Sequence, residues 1–291
     1  MEAHTEHNLL EKRQRALTQQ FPQHTSTFSN RLFSYRTAGE GTQTIVMLHG
    51  IGSSAASWFD TAILLQSDAR IIAWDAPGYG RTTPLGITQP KATDYAEALH
   101  ILLEGLGIEN CMLVGHSLGA LMGAAYTSRY ASPGQIRHFT LISPAHGYGG
   151  TPPENTQAET IRSKRLSIVD TLGIEGMARA RAGRLVSPRA SRIAQEWVHW
   201  NMACLHADGY RQAVELLCGD DIMHYTQHHI PVSVYCSEAD DITPPESCRE
   251  IAAGYGTTLS MIPHAGHASP VEVPDEIAAL LQKELLGLQG R

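Results

Sequence analysis

The stretch that most constrains the fold is residues 113–120, Leu-Val-Gly-His-Ser-Leu-Gly-Ala. An apolar run over residues 111–114 precedes it, as in a buried strand, and small residues over 119–126 follow it, as in a packed helix. The pattern Gly-x-Ser-x-Gly at such a strand-to-helix turn is typical of a nucleophile elbow. Its glycines leave room for a tight turn with a strained serine at the apex. We therefore predict that Ser117 is held as a nucleophile beside a helix N-terminus, whose N–H groups favour developing negative charge.

Other apolar runs place this elbow in a larger sheet. Strands alternating with helical segments indicate βαβ units, so the predicted fold class is α/β, with a mostly parallel sheet and helices on both faces. In such sheets ligands bind beyond the carboxyl ends of the strands, where the unusual motifs of this chain lie. The other predicted strands cover residues 32–37 (as an edge strand), 44–48, 70–74, 139–143, 232–236 and 258–262.

The pattern changes between residues 145 and 229, where strand-like runs disappear and helical segments dominate. This segment is too long for a loop and too poor in strands to continue the sheet. We predict a helical cap over residues 145–229, inserted into a core formed by residues 1–144 and 230–291. Residues 1 to about 28 are predicted to be a polar lead-in with a helix over 8–20.

Composition limits the class of protein. The 291 residues suffice for one large α/β domain, and 22 basic against 29 acidic residues give a net charge of −7 without a charged tail. Nothing indicates nucleic acid or a membrane as partner, so the expected partner is a small-molecule substrate. The five cysteines show no paired spacing and the N-terminus has no secretion signal, which predicts reduced thiols and a cytoplasmic location.

A serine nucleophile needs a histidine base and a carboxylate that orients the histidine. The chain offers Asp240 and Asp241 after the run 232–236, and His264 and His267 after the run 258–262. Both loops follow late strands, so they are expected at the same sheet edge as Ser117. Two aspartates near the end of the cap are reserve candidates for the acid: Asp220 and Asp221.

Taken together, these motifs resemble those of the α/β-hydrolase family, from about residue 32 onward. The family's acid commonly stands in Asp-x-Ile/Val-Thr/Val-Pro, which matches Asp240 better than Asp241. Its histidine commonly follows a glycine, which matches His267 better than His264. The resemblance therefore implies the triad Ser117, Asp240 and His267, in the chain order of this family.

A second part of the resemblance concerns the oxyanion. His49-Gly50, after the run 44–48, resembles the family's oxyanion loop. The resemblance implies that the backbone N–H groups of Ile51 and Leu118 hold the oxyanion, while His49 braces the loop. Asp75 lies in another family loop, where the aspartate usually braces turns, and it is not assigned to catalysis.

The implied reaction is acyl transfer to Ser117 followed by hydrolysis. It needs no metal and no cofactor. A serine at the elbow also disfavours haloalkane dehalogenase chemistry, which uses a carboxylate there.

Within the family, the cap pattern is similar to that of 3-oxoadipate enol-lactonases, with Gly176-Met177, Gly209-Tyr210 and Asp220. This resemblance implies hydrolysis of a carboxylic ester or lactone, including a carboxylated enol-lactone of aromatic degradation. The chain departs from that subfamily at the oxyanion loop, after Asp75 and around Ser117. The main alternative is C–C bond hydrolysis, as in meta-cleavage-product hydrolases. Cofactor-free haloperoxidase or perhydrolase activity and a non-catalytic small-molecule receptor are further alternatives.

Substrate choice is expected to depend on the cap. Residues 176–195 carry five arginines and no acidic residue, and a guanidinium can bind a substrate carboxylate through two hydrogen bonds. We assign this contact to Arg179, and we assign the apolar wall of the pocket to Trp197 and Trp200.

Overall fold

A computed structural model describes residues 2–150, 156–227 and 229–289. The strands of the sheet are β1 (Gln23–Phe28), β2 (Arg31–Ala38), β3 (Gln43–Leu48), β4 (Ala69–Trp74), β5 (Cys111–His116), β6 (Ile136–Ile142), β7 (Val232–Ser237) and β8 (Leu259–Ile262). They are arranged in the order β1-β2-β4-β3-β5-β6-β7-β8. Strands β3 to β8 pair in parallel, whereas β2 pairs antiparallel with both β1 and β4. The predicted α/β class with a mostly parallel sheet is confirmed.

Helices cover both faces of this sheet. Their bounds are α1 (Glu2–Gln20), α2 (Phe59–Leu65), α3 (Ala92–Gly105), α4 (Leu118–Arg129), α5 (Gln157–Arg181), α6 (Arg192–Ala203), α7 (Ala207–Gly219), α8 (Pro245–Gly254), α9 (Ser269–Glu272) and α10 (Pro274–Gln289). Buried residues of α3, α4 and α8 join one hydrophobic cluster, and those of α2 and α10 join the other. Within the described residues, no helix has the length and apolar character needed to cross a membrane.

The central strands show why an unbroken apolar run forms a strand here. In β3, Val46 and Leu48 pack into the cluster with α3 and α4, whereas Ile45 and Met47 pack into the cluster with α2 and α10. Successive side chains of a strand point to opposite faces, so a strand covered on both sides must be apolar throughout.

The first 38 residues differ from the prediction. Residues 23–28, expected to belong to the polar lead-in, form edge strand β1, and the strand predicted at 32–37 lies inside the sheet as β2. The side chains of β1 are mostly exposed, so the strand has no apolar alternation that the sequence could reveal. Helix α1 extends over residues 2–20, and its C-terminal end is anchored by the buried side chains of Leu17 and Phe21.

Between β6 and β7 the described residues form helices α5, α6 and α7 and two short 3-10 turns, Ala182–Arg184 and Ile222–Tyr225. We use the name cap for residues 145–229. Helix α5 is interrupted at Gly173, which has φ 67° and ψ −177°, and both α6 and α7 pack against α5. The loops that end β3, β5, β7 and β8 meet this cap around one cavity.

Candidate active site

Ser117 lies between the last residue of β5 and the first residue of α4. Its backbone has φ 53° and ψ −120°, a conformation that L residues rarely adopt. A Cβ atom at Gly115 would lie 2.5 Å from Ala120 Cα, and one at Gly119 would lie 2.4 Å from the Leu48 carbonyl oxygen. The two glycines of the elbow are therefore required by close backbone contacts.

Backbone hydrogen bonds fix the serine in this strained position. The Ser117 N–H donates to the Ile142 carbonyl, and the Ser117 carbonyl accepts from the N–H groups of Ala120 and Ala145, each at 3.0 Å. The residue is 4% exposed, and it lines the cavity beneath the cap. The surrounding structure thus compensates the cost of the turn and holds the residue at the cavity wall.

His267 connects the serine to a carboxylate. The Ser117 hydroxyl donates to His267 Nε2 at 2.9 Å, and His267 Nδ1–H donates to Asp240 Oδ2 at 2.9 Å. All three side chains are buried, so little water competes for these hydrogen bonds. The structure brings together the three residues predicted to form the triad.

The Asp240 carboxylate is held by the loop that carries it. Oδ1 accepts from the backbone N–H groups of Ile242 and Thr243, both at 2.9 Å, and Oδ2 lies 2.9 Å from the Thr243 hydroxyl oxygen. Burial by itself raises the pKa of Asp240, but the charge of His267 and the hydrogen bonds from His267 and Thr243 outweigh it and hold that pKa well below its ordinary value. The carboxylate is therefore ionised and oriented at neutral pH.

The competing candidates lie elsewhere. Asp241 is exposed, and His264 is exposed at a turn with φ 60°, where its N–H donates to Glu238 at 3.0 Å. Asp220 is buried, but its Oδ2 accepts from the Ala92 N–H at 2.8 Å at the start of α3. It therefore joins the cap to the core. Asp221, the other reserve candidate for the acid, accepts a hydrogen bond from the Met223 N–H. It lines the cavity beside His146 and not beside His267.

The proposed oxyanion loop is braced by His49. Its Nδ1–H donates to the Gly50 carbonyl at 2.8 Å, and its Nε2 accepts from the Ala76 N–H at 3.1 Å, which requires a neutral ring. Tyr79 donates its hydroxyl to the Ile51 carbonyl at 2.9 Å. Burial has the largest effect on the pKa of His49 and lowers it. His49 therefore supports the loop, and its two ring nitrogens are already occupied.

Ile51 and Leu118 both line the cavity beside Ser117. In the part of the chain that the structure describes, neither backbone N–H donates to a protein acceptor. A Cβ atom at Gly50 would lie 2.9 Å from Ser117 Cβ, so only glycine allows the loop to approach the serine this closely. Two free N–H donors near the nucleophile are what an oxyanion site requires.

His116 is a site residue that the sequence reasoning did not single out. Its Nε2–H donates to the His267 carbonyl at 2.8 Å, so it supports the backbone of that histidine. Burial, together with the nearby charge of His267, lowers the pKa of His116 to about 3. A neutral ring therefore occupies this position at physiological pH. The sequence signal for this role is that His116 directly precedes Ser117 in the elbow.

The cavity has a volume of about 530 Å³ and lies between the core and the cap. It is lined by residues of both, including Ser117, His267, Ile51 and Leu118. Its cap wall carries two arginines, two tyrosines and several apolar side chains: Arg165, Arg181, Tyr148, Tyr210, Leu185, Val198, Met202 and Leu217.

The predicted substrate contacts need correction, because none of the three residues lines this cavity. The Arg179 side chain is 74% exposed and pairs with Glu175 on the same helix. Trp197 is fully buried, stacked on Trp200 at 4.6 Å between ring centroids and covered by the Arg13 guanidinium. The tryptophans therefore stabilise the packing of the cap, and α5 turns other arginines toward the cavity.

Comparison with known proteins agrees with this fold. A model of the alpha/beta hydrolase family matches residues 45–280. The "Putative carbamate hydrolase RutD" of Escherichia coli O26:H11 is 26% identical over 258 residues, covering 85% of this chain and 92% of that protein. Among solved structures, an esterase from Thermogutta terrifontis has a TM-score of 0.79 at 19% identity, with 91% of this chain and 98% of that chain covered. The enol-lactonase from Burkholderia xenovorans LB400 has a TM-score of 0.78 at 19% identity, with 91% and 100% covered.

The parallel sheet, the elbow and the inserted helices define an α/β-hydrolase fold. The chain belongs to the alpha/beta hydrolase family, and the predicted enzyme class, a hydrolase, is confirmed. The two solved structures are similar in fold, and at 19% identity they carry no further conclusion about this chain.

Proposed function

We propose that this protein is a serine hydrolase that cleaves a carboxylic ester or lactone. The observation that carries the proposal is the continuous hydrogen-bond chain from the Ser117 hydroxyl through His267 to Asp240, at 2.9 Å for each link. Ser117 and His267 line the cavity beneath the cap. The three groups meet the distances needed for proton transfer from a nucleophile to its base.

In the proposed reaction His267 Nε2 takes the proton of Ser117 as Oγ attacks the substrate carbonyl. The tetrahedral oxyanion accepts hydrogen bonds from the N–H groups of Ile51 and Leu118, and the loss of one such donor typically raises the barrier by about 3–4 kcal/mol. The imidazolium then protonates the leaving oxygen. Water, deprotonated by the same nitrogen, releases the acyl group from Ser117, and the proton returns to the serine.

The substrate class is supported by the relatives. An enol-lactone, as in aromatic degradation, is our first specific candidate, because the cap motifs are similar to those of enol-lactonases. A solved esterase and a solved enol-lactonase share the fold. The relative with 26% identity favours a carbamate as a second candidate, since a carbamate carbonyl is attacked in the same way. Side-by-side assays with an enol-lactone, a carbamate and a meta-cleavage dienoate separate these reactions. Turnover of the dienoate alone would replace our assignment with C–C bond hydrolysis.

The nucleophile is tested with a fluorophosphonate probe, which reacts covalently with activated serines. We expect labelling of the wild type at Ser117 and none in Ser117→Ala. The matched control is Ser53→Ala, because Ser53 lines the same cavity and forms no hydrogen bond with His267. It should be labelled like the wild type. Folded wild-type protein that remains unlabelled would disprove a serine mechanism.

We also propose a cytoplasmic location. All five cysteines are free thiols in the structure, and thiols persist in a reducing compartment. Cell fractionation with an antibody to the native protein tests this, and recovery in a secreted fraction would contradict it.

A further inference from the structure

Two sets of arginines in the cap helices have different surroundings. Those at the outer surface of α5 and α7 have carboxylate partners: Arg162 pairs with Glu215 at 3.0 Å, and Arg211 pairs with Asp170 at 2.6 Å. The two that line the cavity, Arg165 and Arg181, have no carboxylate within 4.0 Å among residues 2–150, 156–227 and 229–289. Within the part of the chain that the structure describes, these two positive charges therefore have no carboxylate counter-ion.

These two guanidinium groups also act on each other. Both side chains line the same cavity. Burial, the larger cause, and the charge of Arg165 lower the pKa of Arg181. An arginine nevertheless stays protonated, so the repulsion persists until an anion binds. Arg165 is held by a hydrogen bond from its Nη1 to the hydroxyl of the buried Tyr210, at 3.2 Å.

The break in α5 explains why these arginines face inward. Gly173 lies between Arg165 and Arg181 and leaves the helical conformation, which lets the two halves of α5 take different directions. Arg179, two residues before Arg181, lies on the exposed face and pairs with Glu175. On the same helix, Arg179 is thus exposed to solvent, whereas Arg181 lines the cavity.

We propose that Arg165 and Arg181 form a subsite for a carboxylate on the substrate, separated from the scissile carbonyl by a short apolar spacer. This rests on the hydrolase function proposed above. Planar guanidinium groups bind carboxylates through paired, charge-assisted hydrogen bonds. The apolar side chains of the same wall, including Met202 and Leu217, suit the spacer.

Another part of the cavity lining limits the class of substrate further. His146 lies there between two acids, with Nδ1 3.3 Å from Asp221 and Nε2 3.9 Å from Glu250. A second anionic group near these carboxylates would be repelled. The arrangement therefore favours substrates with one remote carboxylate over substrates that carry two.

The first test compares mono-p-nitrophenyl adipate with its methyl ester, which has the same scissile bond and no charge. We expect the wild type to prefer the anionic ester in kcat/KM, and Arg181→Gln or Arg165→Gln to reduce that preference by about 10- to 100-fold, the range for hydrogen bonds between charged groups. Arg181→Lys keeps the charge and should keep part of the preference. Arg179→Gln is the matched control and should leave it unchanged.

A second test does not depend on catalysis. Ser117→Ala is titrated calorimetrically with monomethyl adipate and with dimethyl adipate. Tighter binding of the monoacid, abolished by adding Arg165→Gln and Arg181→Gln, supports the subsite even if no ester is hydrolysed. Equal binding of the two compounds, or an anion preference that survives the double substitution, overturns it.

Discussion

Asp240 and Asp241 are chemically identical neighbours, but their surroundings differ. Asp240 is 2% exposed and accepts hydrogen bonds from two backbone N–H groups and His267, whereas Asp241 is exposed to solvent. A carboxylate can orient an imidazole only when its own position is fixed. At the scale of residues, hydrogen bonds rather than charge select the acid.

Asp240→Asn should lower kcat by about 10⁴-fold, because an amide cannot hold the histidine in the required tautomer. Asp241→Asn, the matched control, should change kcat by less than about 3-fold, since it removes an exposed charge. Hydrolysis of p-nitrophenyl butyrate measures both. A similar loss in the two variants would mean that the acid is misassigned.

His116 gives a prediction for pH and stability. Its pKa is about 3 in the folded protein against 6.5 in the unfolded chain, so below pH 6.5 the unfolded state binds more protons. The free energy of unfolding should therefore fall as the pH is lowered from 6.5 toward 3. This one group accounts for a loss of about 2 kcal/mol between pH 7.5 and pH 5.

In His116→Gln that part of the pH dependence should disappear, although the variant is less stable at pH 7.5 because the hydrogen bond to the His267 carbonyl is altered. Urea unfolding at pH 5, 6 and 7.5 measures the slope. His264→Gln, with an exposed side chain, is the control and should follow the wild type. An unchanged slope in His116→Gln would refute the assignment.

At the scale of elements, one contact between the cap and the core is a close approach of two glycines. A Cβ atom at Gly209, in the first turn of α7, would lie 2.0 Å from the carbonyl oxygen of Gly78, in the loop after β4. Gly78 itself has φ 82°, which favours glycine for a second reason. This contact lets the cap and the core meet without side chains between them.

Gly209→Ala should lower the free energy of unfolding by about 1–3 kcal/mol, the usual cost of overpacking a close contact. Gly183→Ala is the control, because a Cβ atom there meets nothing within 4 Å and the φ angle is ordinary. It should be neutral or slightly stabilising. Chemical denaturation compares the two variants. Equal stability of both would mean that this interface rearranges at no cost.

The elements also show which parts of the fold and of the site could be predicted from the sequence. The buried strands and the loops of Ser117, Asp240 and His267 follow from apolar runs and local motifs, which depend on nearby residues. Strand β1 could not be predicted, since its polar side chains are held by pairing with β2. Arg179 was predicted instead of Arg181, and Arg165 lay outside the segment considered. The direction that each arginine of α5 takes is set by the break at Gly173 and by packing against α6 and α7, which is not local information.

At the scale of the whole molecule, the N-terminal helix links the cap to the core. Arg13 of α1 forms an ion pair with Asp60 in α2 of the core. Its guanidinium also lies 4.6 Å from the ring centroid of Trp197 in α6 of the cap. Trp197, predicted as a substrate contact, is thus part of a bridge that keeps the cavity walls in place.

Arg13→Ala should lower the free energy of unfolding by about 1–3 kcal/mol, because it removes a partly buried cation–π contact and leaves Asp60 without its partner. Arg15→Ala on the same helix removes only an exposed pair with Glu11 and should change stability by less than about 0.5 kcal/mol. Urea unfolding compares the variants, and p-nitrophenyl butyrate hydrolysis tests the site. Since Arg13 does not line the cavity, kcat of the folded variant should stay near that of the wild type. A loss of stability in Arg15→Ala as large as that in Arg13→Ala would show that α1 acts only as a helix, without the specific bridge to Asp60 and Trp197.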